Sequence, residues 1–141
     1  MFANMNNEPV AIFSADRAHL SRNENIQRNR NARAMLRDFG LQFKPVTGMY
    51  EGETENALAV VVPRNRDLFH VLAIAAKFSQ DCVLSLGPND HGHGRKAMIV
   101  VPGDPNGNEH IGTFKHVPHE RAMAERAWTH DPNTDFMFIV E

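Results

Sequence analysis

Leu41-Gln42-Phe43-Lys44-Pro45-Val46-Thr47-Gly48-Met49-Tyr50, followed by Ala57-Leu58-Ala59-Val60-Val61-Val62, decides the fold expected of this chain. The first run alternates well enough for a strand, with Pro45 favouring an edge or a bulge. The second is short, apolar and β-branched, as a buried strand is. Upstream, Pro9 to Ala15 reads as another buried strand. Ser21-Arg22-Asn23-Glu24 then has the capping-box pattern that opens a helix, and Gly40 stops it. Ile26, Met35, Leu36 and Phe39 are the residues that helix turns to a core. Downstream, Asn65 caps a second helix over about 66–79, with Leu68, Phe69, Val71, Leu72, Ile74, Ala75 and Phe78 mostly inside. Cys82-Val83-Leu84-Ser85-Leu86 reads as a fourth strand. The order is βαββαβ, which predicts an α+β fold with a ferredoxin-like core.

Beyond residue 86 the pattern weakens. Ala97 to Val101 is strand-like, Pro102 to Gly107 is rich in turn residues, and His119 to Trp128 has weak helical character. Phe136-Met137-Phe138-Ile139-Val140 is an unbroken apolar run. Such a strand is either covered within the domain or paired with a neighbouring subunit, because an open apolar edge invites aggregation. The second choice favours an oligomer.

Composition bounds the function. At 141 residues, 42% hydrophobic and 23% charged, the chain has the makeup of one globular domain. A net charge of -2 gives no whole-molecule attraction to nucleic acid or membrane. One cysteine, Cys82, allows no intrachain disulfide and fits a reducing compartment. Met1 to Glu8 lacks the pattern of a signal peptide, and no apolar run is long enough to span a bilayer. A soluble cytoplasmic protein is expected.

Tyr50, the single tyrosine, closes Gly48-Met49-Tyr50, and Glu51, Glu53 and Glu55 stand directly behind it. A phenol and three carboxylates at one strand turn are chemistry suited to a cationic small molecule. Three glutamates in a polar connection are also what solvated charge looks like; Glu55 stands out because it enters a strand. Asp90-His91-Gly92-His93 offers two imidazoles and a carboxylate, but its glycines and the missing third ligand argue against a metal site. Gly87 to His93 lacks the Lys and Ser or Thr of a phosphate loop, and there is no Gly-x-Ser-x-Gly elbow. Cys82 reads as a buried, inert thiol. Arg17, Arg22, Arg28, Arg30, Arg33 and Arg37 make the first helix region basic; without interleaved aromatics, this reads as a solvated face rather than a nucleic-acid surface.

In order along the chain, Phe13-Ser14-Ala15 with Arg17, Arg33-Ala34-Met35-Leu36-Arg37, Gly48-Met49-Tyr50, Glu55-Asn56, Gln80-Asp81-Cys82-Val83-Leu84, Gly112-Thr113-Phe114 and Val117-Pro118 form a colinear set. With it the chain resembles the small phage-encoded S-adenosylmethionine-degrading enzymes, formerly called hydrolases and now understood, for some members, as lyases. The resemblance implies one lyase domain over residues 1–141 and a PII-like, ferredoxin-like core with extra C-terminal strands. It also implies a homotrimer with ligand sites between subunits. The loop from Tyr50 to Glu55 is shorter than in the best-known relative, so Glu51, Glu53 and Glu55 all stay open as the matching acid, with Glu55 preferred. On this reading Tyr50 and Glu55 act on the substrate. Phe13, Ser14, Ala15, Met49, Gln80 and Asp81 contribute to binding, and neither a metal nor a cofactor is needed. The host cytoplasm and a role against restriction also follow only from the resemblance. Hydrolysis of the same substrate and a non-enzymatic PII-like sensor of adenosine ligands are the alternatives.

Overall fold

The computed structural model describes residues 7–50, 52–89 and 94–141. Its strands are β1 (Val10–Phe13), β2 (Phe43–Tyr50), β3 (Glu53–Val61), β4 (Val83–Leu86), β5 (Arg95–Val101), β6 (Asp104–Val117), β7 (Ala127–Asp131) and β8 (Phe136–Val140). Three helices accompany them: α1 (Arg22–Asp38), α2 (Asn65–Lys77) and α3 (His119–Met123).

The strands close on themselves in the order β1-β3-β2-β7-β8-β6-β5-β4, with β4 returning to β1. Every pairing is antiparallel. This corrects the expected fold class. The chain forms a closed eight-stranded antiparallel barrel, not an open ferredoxin-like or PII-like sheet with strands appended. The C-terminal strands are integral, because β7 takes the free edge of β2 and β5 the free edge of β4. Closure also answers the packing question of the last strand. β8 is paired on both sides, with Met137, Phe138 and Ile139 buried, so its apolar run gives no argument for an oligomer.

Strand alternation divides the core in two. Val10, Ile12, Val46, Ala57, Ala59, Val61, Leu86, Ala97, Phe114 and Phe138, from seven of the strands, fill the interior. Their neighbours Ala11, Phe13, Leu58, Val60 and Val83 point outward and are covered by Ala32 and Leu36 of α1 and Val71, Ile74 and Ala75 of α2. A smaller cluster seats α3 through Ala122 on Val117, Met137 and Ile139.

Ser21 caps α1, its hydroxyl accepting from the Glu24 amide at 3.1 Å. The helices bury less than expected: Ile26 is 41% exposed, Phe39 48% and Phe69 67%. Pro45 is accommodated because β7 pairs with β2 only from Thr47 onward, leaving its nitrogen side unladdered. The turn-like run after Pro102 lies largely within β6, and the expected helix over 119–128 is α3 followed by the start of β7. Among the described residues, no helix is long and apolar enough to cross a membrane.

Candidate functional site

The site begins with a hairpin. β3 starts at Glu53, four residues before the apolar run, and pairs with β2 to the tip, Gly48 opposite Glu55 and Tyr50 opposite Glu53. Gly52 makes the turn possible with φ 86°. Glu53 and Glu55 are therefore strand residues, sharing the parity of the inward-facing Ala57 and Ala59. Tyr50 shares the parity of inward-facing Val46 and is the diagonal neighbour of Glu55, a separation of about 7–8 Å in such ladders. Tyr50 is 69% exposed. Both residues belong to one mouth of the barrel, where a Cβ at Gly48 would meet nothing within 4 Å.

The end of β1 completes the rim. The ladder with β3 stops at the pair Phe13 and Leu58, and side chains then take over. The Ser14 hydroxyl donates to the Asn56 carbonyl at 2.6 Å and accepts from the Asp16 amide at 3.0 Å. The Asp16 carboxylate accepts from the Asn56 amide at 3.2 Å. Behind it, Gln80 Nε2 donates to the Asp16 carbonyl at 3.1 Å, and Arg28 donates to the carbonyls of Ala15 and Phe78.

Electrostatics mark the same spot. Burial, then the negative charges of Asp16 and Glu53, push the Glu55 carboxyl above its usual range, against the pull of a Ser14 hydrogen bond. Much of the Glu55 side chain nevertheless stays open to solvent, so the rim crowds this carboxyl without enclosing it. Asp16 is also raised by burial, opposed by the Asn56 amide and the Arg28 charge. Burial and the charges of Asp81 and Glu55 raise the Cys82 thiol, which keeps it protonated. Cys82 lies just outside β4 and is exposed, which corrects the expectation of a buried thiol. Its inertness rests on the raised thiol rather than on exclusion from solvent.

The residues expected to form a site thus divide. Tyr50, Glu55 and Ser14 come together at the mouth, with Asp81 exposed beside Cys82. The side chains of Phe13 and Ala15 point away, into the core under the helices, and the Ala15 carbonyl is taken by Arg28. Gln80 ties the loop before β4 to Asp16 and Phe78. Met49 has the opposite parity from Tyr50 and lines a shallow depression with Gly52, Glu125 and Arg126, of about 510 Å³. That hollow is on the other side of the hairpin from the Glu55 carboxyl. Glu51 and the Asp90-His91-Gly92-His93 run lie outside the described residues. Among the described residues, no group of three or more His, Cys, Asp or Glu is arranged to hold a metal. Arg17 and Arg28 are spent on carbonyls of the fold, and Arg37 lies over the Phe43 ring. Asp16 was missed from sequence because, in Ser14-Ala15-Asp16-Arg17, it looks like an ordinary loop acid.

No curated protein matches this sequence. The sequence model of the S-adenosylmethionine lyase family, however, matches residues 11–141, from β1 through the end of β8. A match over nearly the whole barrel, with the acidic mouth inside it, places the protein in a family: the chain belongs to the S-adenosylmethionine lyases.

Proposed function

We propose that the barrel mouth binds S-adenosylmethionine and that the substrate's own carboxylate attacks Cγ there. The Cγ–S bond breaks, the sulfonium takes the electron pair, and the products are 5'-methylthioadenosine and L-homoserine lactone. The single observation that carries this reading is the Glu55 carboxyl, held at an open mouth opposite Gly48 and diagonal to Tyr50.

Nothing in this route needs an enzyme nucleophile, a metal or an activated water. The protein has to fold the methionine arm into a near-attack conformer, and such positioning contributes up to roughly 7–11 kcal/mol. Glu55 grips the ammonium group. A carboxylate fixed on the sulfonium would stabilise the charged ground state more than a transition state in which that charge is being lost, and so would slow the step. Tyr50 orients the substrate through its hydroxyl, and Ser14 steadies Glu55. A Tyr50 that is 69% exposed fits a site whose outer wall comes from a second copy, so an intersubunit site in a homotrimer is part of this reading.

Hydrolysis to homoserine is the second reading, favoured by one feature: a carboxyl raised above its usual range is a better general base for water. Products decide. Purified protein is incubated with S-adenosylmethionine and followed by NMR from the first minutes. Early homoserine lactone beside 5'-methylthioadenosine establishes the lyase; homoserine from the start makes Glu55 the base of a hydrolase. Unchanged substrate contradicts both.

A further inference from the structure

We propose that Asp16 is a positioning residue for Glu55: its carboxylate holds the Glu55–Asn56 peptide and adds a further negative charge to the mouth that the cationic substrate meets. The inference rests on the assignment of Glu55 to substrate binding. Its warrant is the way β1 leaves the barrel. Past Phe13 there is no ladder to hold the polar start of β3 against β1. Ser14 and Asp16 take its place, one on the Asn56 carbonyl and one on the Asn56 amide. That amide belongs to the peptide directly after Glu55. Were the β1–β3 register continued, Asp16 would stand across from Glu55 itself. Asp16 is in turn fixed at its own carbonyl by Gln80 and at its own amide by Ser14.

The charge has a consequence separate from the hydrogen bond. Asp16 is the strongest charged influence raising the Glu55 carboxyl, ahead of Glu53 on the same strand. Cys82, just before β4, feels the Glu55 charge, Tyr50 on β2 stands diagonal to Glu55, and Arg28 on α1 pulls Asp16 down. An ionised Glu55 grips an ammonium group, so binding is present above the Glu55 pKa and is lost as pH falls through it. Removing the neighbouring charge lowers that pKa and moves the loss to lower pH.

The test uses the full chain and S-adenosylmethionine, with kcat/KM measured across the acid range for wild type, Asp16→Asn, Asp16→Ala and Glu55→Gln. Asp16→Asn keeps an oxygen that accepts from the Asn56 amide and loses only the charge. Its acid limb is expected to shift to lower pH while its value at neutral pH falls a few-fold, so the two profiles cross. Asp16→Ala loses the acceptor too: its acid limb shifts as that of Asp16→Asn does, and its plateau drops about tenfold, the size expected for a hydrogen bond to a charged group. Thermal melts confirm that both variants fold. A merely structural Asp16 would lower the rate without moving the limb. An Asp16→Asn profile that superimposes on wild type, while Glu55→Gln is crippled, overturns the proposal and leaves the Glu55 assignment standing. A Glu55→Gln enzyme as active as wild type overturns both.

Discussion

The two ends of the barrel hold their charges in opposite ways. Where β2 and β5 begin and β7 ends, Lys44, Arg95 and Asp131 are buried. Lys44 Nζ donates to Asp131 Oδ2 at 2.7 Å, and Arg95 donates to the carbonyls of Glu8 at 2.6 Å and Gly87 at 3.1 Å. At the mouth, where β1 ends and β3 begins, Asp16, Glu53 and Glu55 crowd together with like charge. Burial would raise the Asp131 carboxyl, but hydrogen bonds from Lys44, Asn133 and Thr134 together with the Lys44 charge hold it below its usual range. Glu55 and Asp16 are instead raised. Asp131 therefore gains stability from its charge although burial lowers the Arg95 pKa at the same end, whereas the mouth carboxyls give some up, as expected of a site built to receive a cation.

The contrast breaks most sharply at Lys44. Lys44→Met leaves Asp131 buried without its ammonium and is expected to cost about 3–5 kcal/mol, read from urea denaturation. A Lys44→Met/Asp131→Leu double variant recovers most of that loss, which shows that the buried charge deprived of Lys44 is responsible. The mouth should respond in activity instead: Glu55→Gln lowers kcat/KM by about 100-fold or more, as expected when a substrate charge loses its partner. Gly112 tests closure without touching either end. Its φ is 132°, and a Cβ there would lie 2.6 Å from the Glu141 carbonyl oxygen, so Gly112→Ala costs about 1–3 kcal/mol by prying β6 from β8.

The smallest effect is the pH dependence, and its sign differs between the ends. The Asp131 pKa is depressed in the fold. Its stabilisation is present above the unfolded-chain pKa and is lost as pH falls through the folded value. The Glu55 and Asp16 pKa values are raised, so these groups favour the fold below their unfolded values and lose that contribution as pH rises through the folded ones. At neutral pH, Asp16→Asn and Glu55→Gln should each stabilise the protein, by no more than about 0.5 kcal/mol after solvent screening, in thermal melts.

Much of this could be read from the sequence, for identifiable reasons. β1, the apolar part of β3, β4 and β8 are short apolar runs, and α1 carries its cap in Ser21. Closure could not be read, because the strand that takes β2's free edge is β7, some eighty residues away, and local pattern is silent on such pairing. β6 was hidden because Asp104 to His110 is almost wholly polar, and its ladder with β5 shifts register on the way. The site was legible as a composition, a tyrosine followed by glutamates, but not as an arrangement. Glu53 to Asn56 carry no apolar alternation to mark them as strand, and Asp16 gains its meaning only from Asn56, forty residues on.

The most direct test of the division between a chemical mouth and a stabilising far end is the turnover of S-adenosylmethionine by Glu55→Gln, run beside its urea midpoint. The expected result is a kcat/KM lower by about 100-fold at a midpoint no lower than wild type. Wild-type turnover by this variant would contradict the assignment of the chemistry to the mouth.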